Sequence, residues 1–142
     1  MLRILDTNVV SELMRAEPDA GVLAWSRQQL LGELAITAIT LMEVRYGIAR
    51  LPDGARKQDL EARFRRFLAL AFSGRVLTFD GEAAEFSAVM RAMRRRMGRA
   101  VGTEDGMIAG IARQHGATVV TRDEGGFEGC GVPVINPWAV AP

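Results

Sequence analysis

The chain reads as an α/β protein: a central, mainly parallel sheet covered by helices on both faces, in three α/β/α layers. Two observations predict this. Short apolar runs alternate with longer segments along all 142 residues, and the longer segments repeat apolar residues at spacings of three and four. Strands that alternate with helices pair in parallel through right-handed crossovers, which place helices on both faces. In such sheets, sites form beyond the carboxyl ends of the strands.

Residues 2–5 make the first strand, and a short helix follows over 7–14. Glu17, Pro18 and Asp19 break the chain, with Pro18 suited to the first turn of a helix running to about residue 31. Leu34–Thr37 is a second strand. A helix over 38–51 ends at Pro52, Asp53 and Gly54. Leu60, Phe64, Phe67, Leu68 and Ala71 give 56–72 an amphipathic helical period, stopped by Ser73 and Gly74. Residues 76–79 form strand three, Asp80 caps a helix over 82–97, and Gly98 and Gly102 bracket a loop. Thr103–His115 is a helix rich in small residues, and the β-branched run 118–121 is a strand ending at Arg122 and Asp123. Gly125, Gly126, Gly129 and Gly131 predict a mobile loop, and 132–135 a last strand before Asn136 and Pro137.

The length suits one domain over residues 1–142 with a sizeable core. No apolar run approaches the roughly 18 residues of a membrane span, and no signal peptide fits ahead of the first strand, so the expectation is a soluble, cytoplasmic protein with no membrane partner. Cys130 and His115 are the only residues of their kinds, which excludes disulfide frameworks, structural zinc sites and paired-histidine catalysis. Lys57 is the only lysine, and the lysine-bearing phosphate loop G-x-x-x-x-G-K-[ST] is absent. A net charge of +1 says little about nucleic acid, but RAMRRRMGR at 91–99 concentrates five Arg without an acid. That run reads either as a solvated helix face or as a surface that contacts phosphates.

Four carboxylates stand in unusual places. Asp6 and Asp123 each follow a buried strand to the sheet edge, where an N-cap is the alternative reading. Glu43 shares a helical stripe with Ile39 and Tyr46, the alternative being a partly exposed Glu screened by Arg45 or Arg50. Asp105 lies on the stripe of Ile108, Ala109 and Ala112, which should face the sheet; its alternative is a first-turn acid that complements the helix dipole. Glu104 points about 100° away and suits that dipole role better. Together the four surround one sheet edge with few cations to pair them; Arg122 can neutralise one. Clustered carboxylates repel unless a multivalent cation holds them ionised, and hard oxygen ligands suit Mg²⁺ or Mn²⁺. Such an ion, without a nucleophilic Ser or Cys motif, points to hydrolysis of a phosphodiester by a metal-activated water. A positive rim is then needed to admit a polyanionic phosphodiester, with Arg95, Arg99 and Arg122 as candidate contacts and Arg45 and Arg50 beside them.

LDTNVVSEL at 5–13, AITLMEVRYGIARL at 38–51, EDGMIAGIARQHGATVVTRD at 104–123 and NPW at 136–138 together resemble the PIN-domain ribonucleases, and within them the VapC/FitB-like toxins of bacterial toxin–antitoxin modules. The ordered set spans almost the whole chain. The resemblance implies a metal-dependent endoribonuclease whose Mg²⁺ or Mn²⁺ site is Asp6, Glu43, Asp105 and Asp123, supported through hydrogen bonds by Asn8 and Thr121. It also implies a homodimer, an inhibitory VapB/FitA-like antitoxin, and operator DNA bound only through that antitoxin. Glu104, directly before Asp105, is kept as an outer residue of the site.

Two other readings share part of the pattern. A haloacid-dehalogenase-type phosphatase needs a second Asp two residues after the first and a catalytic Lys; here position 8 is Asn. A non-catalytic PIN-like module that only binds protein is the alternative from another class. His115 reads as a C-terminal dipole partner, and Trp25 and Trp138 as packing residues rather than base-stacking platforms.

Overall fold

The computed structural model describes residues 1–140. Strands β1 (Arg3–Leu5), β2 (Leu34–Thr37), β3 (Val76–Leu77), β4 (Thr118–Val120) and β5 (Val134–Ile135) form one sheet in the order β3-β2-β1-β4-β5. Every pairing is parallel, as expected. Helices α1 (Thr7–Leu13), α2 (Ala20–Arg27), α3 (Ala38–Ala49), α4 (Ala55–Phe72), α5 (Gly81–Arg96), α6 (Thr103–His115) and α7 (Glu124–Phe127) connect them.

Because side chains alternate across a strand, consecutive residues feed two separate cores. Ile4 and Val119 pack with Ala83 and Met90 of α5 and with Ile108, Ala109, Ile111 and Ala112 of α6. Leu5, Ile36 and Val120 pack on the opposite face with Val9 and Val10 of α1, Val22 and Trp25 of α2, and Phe64 and Phe72 of α4. These strands are apolar on both sides because helices cover both sides. α5 and α6 pack closely: a Cβ at Gly110 would run into the Ala83 carbonyl oxygen and stand 3.0 Å from Ser87 Cβ.

The strand order decides where a site can form. From β1 the chain moves outward through β2 and β3, then returns to add β4 and β5 on the other side. The order therefore reverses at β1, and the crevice beyond the carboxyl ends of β1 and β4 is open to ligands.

Several boundaries differ from the sequence reading. Pro18 precedes the helix, because Asp19 is the cap and accepts from the Gly21 and Val22 N–H groups. That helix stops at Arg27, and a 3-10 turn, Leu31–Glu33, leads into β2. Strands three and five shorten to Val76–Leu77 and Val134–Ile135. The glycine-rich segment is not wholly a loop. Asp123 caps the Gly126 N–H at 3.1 Å and Phe127 is fully buried, so a cap and one aromatic anchor form α7 despite its two glycines. No helix among the described residues is long and apolar enough to cross a membrane.

Candidate metal centre

Asp6 sits at the carboxyl end of β1 and caps α1, so the two readings of this residue are compatible. Its side chain accepts from the Thr7 N–H at 2.8 Å, the Thr121 hydroxyl at 2.8 Å and the Asn8 amide at 3.3 Å. Asn8 also donates to Thr121 Oγ1 at 3.1 Å and accepts from the Arg122 N–H at 3.1 Å, while the Asp123 N–H donates to Thr121 Oγ1 at 3.0 Å. Asn8 and Thr121 thus tie the ends of β1 and β4 together around one carboxylate. Burial, partly offset by these bonds, raises the Asp6 pKa, and the Asp123 charge adds to the rise.

Glu43 comes from the middle of α3 and is half-buried. Its Oε1 accepts from the Thr7 hydroxyl at 3.0 Å, a contact across 36 positions that sequence reasoning missed. No periodic signal marks it, since it depends on how α1 and α3 cross. The stripe that carries Glu43 is only partly inward: Ile39 is buried, but Tyr46 is 66% exposed. Screening by Arg45 or Arg50 is not seen either. Their guanidinium groups lie over the Phe64 and Tyr46 rings, at 5.0 and 5.9 Å. Burial raises the Glu43 pKa, with the Asp6 and Glu104 charges acting in the same direction.

Asp105 stands in the first turn of α6, on the stripe where Ile108, Ala109 and Ala112 are fully buried, while Glu104 is exposed. Burial first, then the charges of Asp6, Asp123, Glu43 and Glu104, push its pKa up to about 6. Asp105 therefore feels the charges of the other three acids at one edge of the sheet. Asp123, exposed after β4, completes the group.

Whether these side chains suit a cation is tested by their neighbours. Among the described residues, no Arg or Lys comes within 4.0 Å of any of the four carboxylates. Among the described residues, three or more of them are not gathered at the spacing of ligands of one ion. Gly126 supplies the closest approach. A Cβ there would stand 2.6 Å from Asp123 Oδ2 and 3.2 Å from Asp105 Oδ2, so both carboxylates bear on a space that only glycine leaves open. An all-oxygen, acid-rich donor set of this kind fits Mg²⁺ or Mn²⁺. Gly126→Ala is expected to weaken Mn²⁺ binding about 10- to 100-fold, the range typical of disturbed ligand support. Isothermal titration calorimetry checks it, and an unchanged affinity would separate Gly126 from the site.

The expected basic rim is mixed. Arg122 lies over the Trp138 ring at 5.0 Å, which anchors a cation beside Asp123, and Trp138 packs against the core as Trp25 does. Arg95 is exposed on α5, whereas Arg99 is paired with Glu128 at 2.8 Å. Arg94 corrects both readings of the arginine run: it is buried and neither solvated nor free for phosphate. A cleft of about 720 Å³ runs from Thr7 and Glu43 between α1, α3 and α4, and Arg15, Arg50, Arg56 and Arg63 line it. Residues this far apart in sequence gave no signal of meeting. His115 is exposed at the end of α6, away from the acids.

Comparison with known proteins bears on the chain as a whole. The PIN domain family model matches residues 3–129. The chain is 44% identical over 138 residues to VapC ribonuclease Y4jK of Sinorhizobium fredii, covering 97% of this chain and 99% of that protein. It is 40% identical over 135 residues to toxin FitB of Neisseria gonorrhoeae, covering 95% and 97%. The solved structure of FitAB bound to an IR36 DNA fragment superposes with a TM-score of 0.92 at 38% identity, over 99% of both chains. With the parallel sheet, the four acids at its switch point and a match that runs nearly end to end, the chain belongs to the PIN domain family.

Proposed function

We propose that this protein is a metal-dependent endoribonuclease, the toxin of a VapBC-type toxin–antitoxin module, which cuts RNA phosphodiesters at the four-acid edge. The observation that carries the reading is the set of four carboxylates at one switch point with no cation paired to them among the described residues. The likeness to a VapC ribonuclease and to a FitB toxin supports the choice of RNA and of the toxin role.

Asp6, Glu43, Asp105 and Asp123 would hold one or two Mg²⁺ or Mn²⁺ ions. When bound, such an ion supplies an activated water and neutralises charge developing on the phosphate. The chain's own residues prepare that chemistry. Thr121, Asn8 and the Thr7 N–H fix the Asp6 carboxylate, and the Thr7 hydroxyl fixes Glu43. Asp105 must release its proton before it can act as a ligand, which its raised pKa makes sensitive to pH. Arg122, held over Trp138, offers positive charge at the rim, and exposed Arg95 extends it.

The FitAB–DNA structure supports an antitoxin partner for this chain; operator DNA reached through that partner, a homodimer and a place in the cytoplasm belong to the same proposal. The test is to purify the chain free of antitoxin and assay defined RNAs with Mg²⁺, Mn²⁺ and a chelator. Cleavage that the chelator stops is expected. Failure to cut any RNA with either metal would favour a non-catalytic, protein-binding module. A second measurement concerns the rim. Arg122→Ala should weaken RNA binding and lower the magnitude of its logarithmic salt slope by about one; an unchanged slope removes Arg122 from the RNA path.

A further inference from the structure

Arg94 is one of five arginines in the run 91–99, yet its side chain is buried to 3% exposure. Among the described residues no carboxylate lies within 4.0 Å of it. Burying a guanidinium without a counter-ion is costly, and its donors must be met. They are met by backbone. Nε donates to the Arg99 carbonyl at 2.7 Å, Nη2 to the Gly125 carbonyl at 3.2 Å, and Nη1 to the Glu128 carbonyl. Cys130 Sγ lies 4.0 Å from Nη1.

The three carbonyls belong to two separate segments. Arg99 lies in the connection from α5 into α6, whose first turn carries Asp105. Gly125 and Glu128 lie in and just after α7, whose N-cap is Asp123. We infer that Arg94 is a positioning residue for the metal centre: its planar fork ties these two segments together and so sets the spacing of the Asp105 and Asp123 carboxylates. This rests on the reading of the four acids as the metal site. Arginine suits the task because it offers five donors in a fixed plane, which a lysine ammonium cannot aim at three carbonyls from two directions.

A purely structural Arg94 would affect the stability of the fold but not the metal affinity of the folded molecules. The experiment therefore measures Mn²⁺ binding by calorimetry on the folded protein, beside its metal-free thermal midpoint, for the parent, Arg94→Lys, Asp123→Asn, their double variant and Asp6→Asn. Arg94→Lys is expected to raise the Mn²⁺ dissociation constant about 10- to 100-fold. In the Asp123→Asn background the same change should have a smaller effect, because Arg94 acts in part through Asp123. If the parent binds Mn²⁺, Asp6→Asn loses it and Arg94→Lys binds as the parent does, the positioning role is overturned while the metal site stands. If the parent binds no Mn²⁺, the metal site falls and this role with it. Should Arg94→Lys not fold, the unmutated protein decides: saturating Mg²⁺ should slow proton exchange at Arg94 Nε, and an unchanged rate overturns the proposal.

Discussion

Asp6→Asn is expected to reduce RNA cleavage by on the order of 10²- to 10³-fold or more, the scale on which preorganised electrostatic groups act, while the metal-free fold stays as stable as the parent or becomes more stable. The two halves have one cause. Asp6 is 6% exposed, its pKa is raised first by burial, and the Asp123 charge opposes its ionisation. Asparagine removes a buried negative charge and keeps an oxygen for the Thr7 N–H; against that gain, its amide meets Thr121 Oγ1, which already accepts from Asn8 and the Asp123 N–H, so one of those bonds is given up. A residue that strains the apo fold and is retained for chemistry is a usual trade of stability for function. Rate measurements with saturating Mn²⁺ on a defined RNA, and thermal midpoints in chelator, check the two halves. Cleavage at the parent rate would remove Asp6 from the reaction.

The second large effect couples metal, pH and stability. In the metal-free protein Asp105 holds its proton up to about pH 6, against an ordinary value of 3.8, and Asp6 and Glu43 shift in the same direction. The folded state then binds more protons than the unfolded state across that window, so stability falls as pH rises through it. The contribution of Asp105 is fully present below the ordinary carboxylate range and lost above about pH 6, and those of Asp6 and Glu43 fall in the same direction. Glu33, Asp80 and Glu128 have lowered values and push the opposite way, so the informative quantity is the parent midpoint minus that of Asp105→Asn across pH 4 to about pH 7. That difference should fall with rising pH.

Mn²⁺ should reverse the loss. At 100 times its dissociation constant, a ligand of the folded state alone adds about 2.7 kcal/mol, on the order of 10 °C for a chain of this size. Because ligands must be deprotonated, the gain should be larger at pH 7 than at pH 5. Equal midpoint shifts at the two values would show that none of these acids loses a proton to the ion.

The fold and much of the site were legible in the sequence for local reasons. Asp6 and Asp123 end apolar strand runs, and a strand's end in a parallel sheet marks the ligand edge whatever the loops do. Asp105 was legible because offsets of three, four and seven from it land on residues buried to 0% exposure, so helix phase alone turned it inward and Glu104 outward. Glu43 was legible only in part, since its stripe carried buried Ile39 and exposed Tyr46 together.

Other features had no local signature. Arg94 is indistinguishable in RAMRRRMGR from Arg95 and Arg96, which are exposed. The glycines of α7 read as mobility, and its helix depends on a cap at Asp123 and a cavity for Phe127. The bond from Thr7 to Glu43 and the arginines that line the cleft join residues from different helices.

By itself the sequence determined the layers, the parallel sheet and the strand-end or helix-phase positions of Asp6, Asp105 and Asp123, because apolar period and strand-end position act within a few residues. Only the tertiary structure decided which arginine is buried, how Thr7 steadies Glu43 and why Gly126 must lack a side chain. Those follow from distances between segments, and spacing along a chain does not encode distances across it.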